Sequence, residues 1–155
     1  MEPGPDERLK LVFDEALRAL VQQQARLDNV RSRATTLTAA ATLVASLLGG
    51  SSVDRDSFDW AAVLATAATA GVLACSLVIV APIWHWRFHS RPTQLLRAVD
   101  QGFSLDEMRR NMASDFEHWA DGNDRKLRRM HRTFTAGLAF LTAEMVGWAL
   151  HLWSL

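Results

Sequence analysis

The sequence is short of the residues that build chemical sites. Its one cysteine, Cys75, excludes an intrachain disulfide, and no cysteine–histidine cluster has the spacing of a zinc site. There is no HExxH, no glycine-rich phosphate loop and no GxSxG. His85 and His89 stand four apart, as on one helical face, but neither His118 nor His131 is near enough in sequence to serve as a third metal ligand. No nucleophile stands beside a base, which argues against an enzyme; no metal and no resident cofactor are expected. The net charge is zero, which argues against a general nucleic-acid binder. Proline and glycine are missing from Glu7 to Leu48, so nothing there interrupts a helix. Internal repeats and low-complexity segments are absent.

The most telling absence is of charge. From Trp60 to Trp84 the chain reads WAAVLATAATAGVLACSLVIVAPIW, without a charged or amide side chain. At about 1.5 Å per residue this stretch can cross a ~30 Å hydrocarbon core with some tilt. A tryptophan stands at each end, where an amphipathic ring prefers the headgroup level. The alternative is the central core helix of a globular domain. Pro82 should end or kink the helix.

Before it, Asp6 is a plausible N-cap. Leu9, Phe13, Ala16, Leu20, Gln23, Leu27, Val30 and Ala34 then recur at alternating steps of four and three. That is a heptad seam, and it needs a partner helix, either in this chain or in a second copy. The amphipathic helix of 1–33 is expected to run unbroken into a first span at 34–50. This span is weakly apolar, carries Thr35, Thr36, Thr38 and Thr42, and has a small-residue ridge at Ala41, Ala45 and Gly49. Its start at Ala34 is too late for an ordinary signal peptide. Asp54, Asp56 and Asp59 make an acidic loop before the second span, 60–84.

After the second span comes a basic-aromatic collar: His85, Trp86, Arg87, Phe88, His89 and Arg91. A short helix is expected over 93–101, stopped at Gly102. Ser104-Leu105-Asp106-Glu107 is a capping box that starts another helix. Its apolar beat is Met108, Met112, Phe116, Trp119, Leu127, Met130 and Phe134, with Asn123 in the missing place. The register holds across Asp121-Gly122-Asn123-Asp124, which favours one continuous helix into a third span, 133–155. There Ala139, Ala143 and Gly147 repeat the small-residue ridge, and Trp148 and Trp153 are expected at the far interface.

The fold class expected is therefore all-α: a three-span helical membrane domain over 34–155, a cytosolic helical loop at 85–132, long amphipathic cytosolic helices and an oligomeric bundle. Arginine and lysine crowd the segment before the first span and the loop after the second. Between the first two spans only Arg55 is basic. By the positive-inside rule the N-terminus and the loop are cytoplasmic and the C-terminus is outside, which places the protein in the cell (inner) membrane.

Two groups of residues carry candidate chemistry. Glu144 is the one acid within a span, where a charge costs about 2.5–3.5 kcal/mol, so it should face protein or a water-filled path. His151 lies seven residues on, along the same helical face. The two either line a pore or proton path, or Glu144 is a neutral hydrogen-bonding group that joins helices. The second group is Arg125, Lys126, Arg128, Arg129 and Arg132, with Arg31 and Arg33 on the first long helix. These cations suit anionic lipid headgroups, a phosphate ligand, or simple anchoring of topology. Asp28 and Arg31 have the spacing of an i,i+3 pair.

Leu27, Asp28, Arg33, Ala34 and Leu37 at the start of the first span, and Asn123, Lys126, Leu127, Ala136 and Gly137 at the third, resemble the Pycsar transmembrane effectors of bacterial antiviral defence. The similarity of layout covers nearly the whole chain. It implies an oligomeric effector or channel that permeabilises the inner membrane when a cyclic pyrimidine nucleotide binds on the cytosolic side. The expected partners are membrane lipids, further copies of the chain and such a nucleotide, with no nucleic acid. The alternative is a non-catalytic membrane scaffold or accessory subunit that binds another protein through its cytosolic helices.

Overall fold

The computed structural model describes residues 5–49, 60–88 and 92–153. The chain is all-α, with α1 over Pro5–Gly49, α2 over Trp60–Val80, α3 over Pro92–Asp100 and α4 over Leu105–Trp153. Two of these, α2 and α4, are long and apolar enough to cross a membrane. The side chain expected to cap α1 (Asp6), the acidic loop at Asp54, Asp56 and Asp59, and His89 and Arg91 of the collar all lie outside the described residues.

Helix α1 runs unbroken through the segment expected as the first span. That segment does not match α2 in apolarity because it has four threonines to the two of α2 and fewer leucine, isoleucine and valine side chains. Helix α2 stops at Val80, short of the expected Trp84. The chain turns at Ala81–Trp84, as Pro82 dictates, and the Trp84 indole N–H donates to the Val78 carbonyl at 2.9 Å. Helix α3 ends before Gly102, whose φ of 77° is left-handed backbone that glycine adopts without a Cβ penalty. The Gly102 and Phe103 amides return to the Val99 and Ala98 carbonyls at 2.9 and 3.1 Å. At the start of α4 the capping box is fully formed. The Ser104 amide donates to the Glu107 carboxylate at 2.8 Å, and the Glu107 amide donates back to the Ser104 hydroxyl at 3.3 Å. Helix α4 then continues through Gly122 to Trp153 without a break.

The chain divides into two compact units, 1–27 with 85–127, and 28–84 with 128–155. Both long helices contribute to both. In the first unit the heptad seam of α1 finds its partner within the chain. Leu20, Gln23 and Leu27 are buried, and the Phe13 ring packs on Phe116 of α4 at 5.7 Å. Gln23 donates through Nε2 to the Ala120 carbonyl and to Asp124 Oδ1, both at 2.9 Å. A polar residue at a seam position fixes register, because sliding the helices would strand its amide.

The second unit joins the C-terminal parts of α1 and α4 to α2. Leu37, Ala41 and Val72 form a small core with Phe134 and Leu141. Glycines set the closest approaches. A Cβ on Gly147 would lie 3.0–3.1 Å from Ala65, backbone included, and one on Gly71 would lie 2.7 Å from the Phe140 ring. Of the first expected ridge, Ala41 is buried while Ala45 and Gly49 are half-buried. Of the second, only Gly147 is buried; Ala139 is exposed. The two tryptophans expected at the far interface part company. Trp153 is exposed, whereas Trp148 turns inward because Gly49 leaves room for its ring.

Candidate functional site

In the second unit polarity is inverted. The fully buried positions include Glu144 at 0% exposure and His151 at 2%, with Ser76 also inside. Around a small apolar core that includes Leu37, Val72, Ile79 and Met130, many large apolar side chains point outward: Leu43, Leu47, Val63, Leu73, Leu77, Met145, Val146 and Leu150 are all exposed, Leu47 by 77% and Leu77 by 69%. In water this arrangement would leave the favourable burial of each of those side chains, about 1.5–3 kcal/mol, unrealised. Among hydrocarbon chains it costs nothing, provided that the backbone and hydroxyl groups are satisfied within the protein.

They are. Every threonine of the three apolar blocks donates its hydroxyl to the carbonyl four residues earlier: Thr35, Thr36, Thr38 and Thr42 in α1, Thr66 and Thr69 in α2, and Thr133, Thr135 and Thr142 in α4. Back-bonding of this kind hides a hydroxyl from an apolar solvent. Ser76 instead reaches across to the Ala34 carbonyl at 3.3 Å and ties α2 to α1.

Glu144, Trp148 and His151 are spaced four and three apart, so they occupy one buried stripe of α4. The Trp148 and His151 rings meet edge to face at 5.8 Å. The Thr69 hydroxyl is the polar neighbour of the Glu144 carboxyl, yet it is committed to the Ala65 carbonyl. That hydroxyl can still accept from a protonated carboxyl while it donates to Ala65, so Glu144 and Thr69 form a polar contact between α4 and α2; the Trp148 indole N–H is buried without an acceptor. An acid enclosed among apolar helices is a functional-site candidate by default.

The cations expected as a lipid or phosphate site fall into two sets. Arg31, Arg33, Arg128, Arg129 and Arg132 belong to the second unit, Arg125 and Lys126 to the first. Arg33, Arg125, Arg128, Arg129 and Arg132 are exposed. Lys126 is occupied: its ammonium donates to the His85 carbonyl and lies over the Trp86 ring, 5.5 Å from the centroid. Asn123, buried, donates to the Arg87 carbonyl at 2.8 Å, and Trp86 stacks with Phe88 at 5.8 Å. The collar of the first unit is thus pinned to α4, and the missing apolar beat at Asn123 is the pin. The Asp28–Arg31 ion pair does not form. Arg31 is half-buried, and its Nε is shielded from solvent without an acceptor.

The first unit also carries an open groove of about 550 Å³ between α1 and α4. Leu9, Val12, Ala16, Ala113 and Phe116 line it, with Glu15, Arg110 and Glu117 among the lining residues as well. No sequence signal short of pairing the two helices would have found it. Among the described residues no group of histidine, cysteine and acidic side chains could hold a metal ion. Comparison of the chain with known protein families, with curated proteins and with solved structures finds no match.

Proposed function

We propose that the chain is an oligomeric three-span membrane effector or channel that permeabilises the inner membrane in response to a cytosolic nucleotide signal. The observation that carries the membrane reading is the polarity of the second unit, with Leu43, Leu47, Leu73 and Leu77 outside and Glu144 inside. Helices α2 and α4 supply two crossings. The C-terminal part of α1 supplies the third: it presents Leu43 and Leu47 outward, buries Ala34, Leu37 and Ala41, and has its threonine hydroxyls satisfied internally. The positive-inside rule then puts the N-terminus and the loop after α2 in the cytoplasm. The complete burial of Glu144 within an apolar unit supports a role beyond packing, and Glu144→Gln separates that role from joining α4 to α2 through Thr69.

The test is dye release from liposomes that carry the purified protein, with and without cyclic pyrimidine nucleotides. Release that depends on nucleotide, and that Glu144→Gln changes without dissolving the oligomer, is the expected result. A stable monomer in detergent that releases no dye under any nucleotide refutes the proposal. The groove of the first unit favours a second reading, a membrane scaffold that docks a partner helix there. Capture of one defined protein, abolished by Ala16→Glu, would favour it over the effector.

A further inference from the structure

In the first unit α1 carries a second seam besides the one that closes on α4. Lys10, Asp14, Leu17, Val21 and Gln24 recur at steps of four, three, four and three, and all five are exposed, Leu17 by 41% and Val21 by 60%. On the other side of α1 lies the groove it forms with α4, floored by small side chains: Ala16 and Ala19 from α1, Ala113 and Ala120 from α4. Val12 of the groove is five residues from Leu17, and Ala19 is two from Val21, so groove and ridge stand about 140–160° apart around the helix. No chain can fill its own groove with its own ridge.

The two surfaces match in height and in charge. Phe13 packs on Phe116, and Gln23 bonds to Ala120 and Asp124, so each position of α1 is level with the position about 100 further on in α4. Arg18, beside the ridge, is therefore within about one turn of the height of Glu15 and Glu117, which line the groove, and Asp14 is about one turn from the height of Arg110. With Lys10, Asp14 and Arg18 the ridge carries one net positive charge; with Glu15, Arg110 and Glu117 the groove carries one net negative charge. Arg18 is bonded to Glu15 of its own chain at 2.9 Å, but the two side chains are 66% and 65% exposed, and a pair in water holds weakly.

We infer that the Leu17–Val21 ridge of one copy docks into the α1–α4 groove of the next, with Leu17 and Val21 seated among the alanines and Arg18 between the neighbour's Glu15 and Glu117. This rests on the oligomeric membrane reading above and names the surface through which the copies join. A bilayer holds every copy upright and at one depth. Ridge and groove lie at one height on the chain, so the contact needs no shift along the helix axis, and a head-to-tail contact without a shift closes into a ring. The alanines let the neighbour's helix approach closely, and docking removes from water the Leu17 and Val21 surface that a single copy leaves exposed. An unrelated partner would have to reproduce this spacing and charge; a second copy already has both.

The full-length protein, with Cys75→Ser as background, is reconstituted in liposomes. Single cysteines are joined by a short bis-maleimide, and association is read from energy transfer between copies labelled at the N-terminus. Leu17→Cys mixed with Ser114→Cys before reconstitution should give a covalent dimer, and neither variant alone should give one. Val21→Asp, at a site exposed in the single copy, should weaken association about tenfold while the helical circular dichroism stays unchanged. Arg18→Glu and Glu117→Arg should each weaken it about fivefold, and the two together should restore most of the loss. No recovery in the double variant overturns the assigned register. Cross-linking of Leu17→Cys to itself in place of the mixed pair overturns docking of ridge into groove. An oligomer that survives Val21→Asp and gives no mixed cross-link overturns this inference alone, whereas a wild-type chain that stays monomeric in the liposomes overturns the oligomeric reading itself.

Discussion

Gly147 offers the sharpest test of how the second unit is packed. An added Cβ there would lie 3.0 Å from the Ala65 Cβ and 3.1 Å from both its Cα and its amide nitrogen. Ordinary carbon contacts begin near 3.5 Å, so three atoms are overlapped by about 0.4–0.5 Å, and two belong to the backbone and have no rotamer to yield. Relief requires α2 to move away from α4, which loosens contacts along the stripe that encloses Glu144. Overpacking of this kind costs about 1–3 kcal/mol. Alanine returns some of that, because it is a better helix former than glycine by about 1 kcal/mol. Gly147→Ala should therefore be destabilising, by up to about 2 kcal/mol. Gly122→Ala, in the same helix, is the control: its new methyl meets nothing within 4 Å, so only the propensity gain of about 0.5–1 kcal/mol remains. Thermal unfolding in detergent, followed by circular dichroism, should move by a few degrees in opposite directions for the two variants. If Gly147→Ala proves as stabilising as Gly122→Ala, the close approach of α2 to α4 at Ala65 is wrong.

Glu144→Leu should raise the unfolding temperature of the second unit, because it replaces a buried carboxyl by an apolar side chain of similar size while its neighbour Thr69 keeps its bond to the Ala65 carbonyl; a gain of about 1–3 kcal/mol in detergent is expected, and a loss would mean that the contact of Glu144 with Thr69 holds the helices together. Asn123→Ala leaves the Arg87 carbonyl without its donor and should cost about 1–3 kcal/mol, read as faster amide exchange over residues 85–88, while α2 exchange stays unchanged. The Glu107 carboxyl is held below its ordinary value of 4.5 first by the Ser104 amide, then by the Ser104 hydroxyl, with a smaller contribution from the Arg110 charge. Its contribution to the first turn of α4 is thus complete above pH 4.5 and disappears as pH falls through the lowered value. The protection of the Ser104 amide, its exchange rate relative to the intrinsic rate at each pH, should fall over that acid range in wild type but stay nearly constant in Glu107→Gln.

The positions of the four helices were legible because local rules acted without competition. The proline- and glycine-free run specified α1, Pro82 ended α2, Gly102 stopped α3 and the Ser104–Glu107 box opened α4. Continuity across Gly122 followed from register, since a single glycine costs too little to stop a helix whose apolar beat continues on both sides. The candidate site was legible in part. An acid within an apolar block draws attention wherever it stands, and Glu144 is indeed enclosed. The direction faced by Trp148 was not legible, because an indole suits either an interface or a gap opposite a glycine, and only the neighbouring helix decides. Nor was the occupation of Lys126 by the His85 carbonyl and the Trp86 ring, groups some forty residues away in the chain.

Taken alone, the sequence determined that this protein is helical, that its apolar residues are gathered into blocks and that its cations flank them. These are properties of neighbours three or four residues apart, which the chain carries wherever it goes. Tertiary structure alone decided that the α1 seam closes on α4, that Gln23 and Asn123 are pins rather than gaps, that Gly71 and Gly147 are points of contact, and that Glu144 is buried beside Thr69 of α2. Each of those facts depends on atoms brought together from distant segments, and the packing that brings them there is a property of whole helix faces that no local pattern encodes.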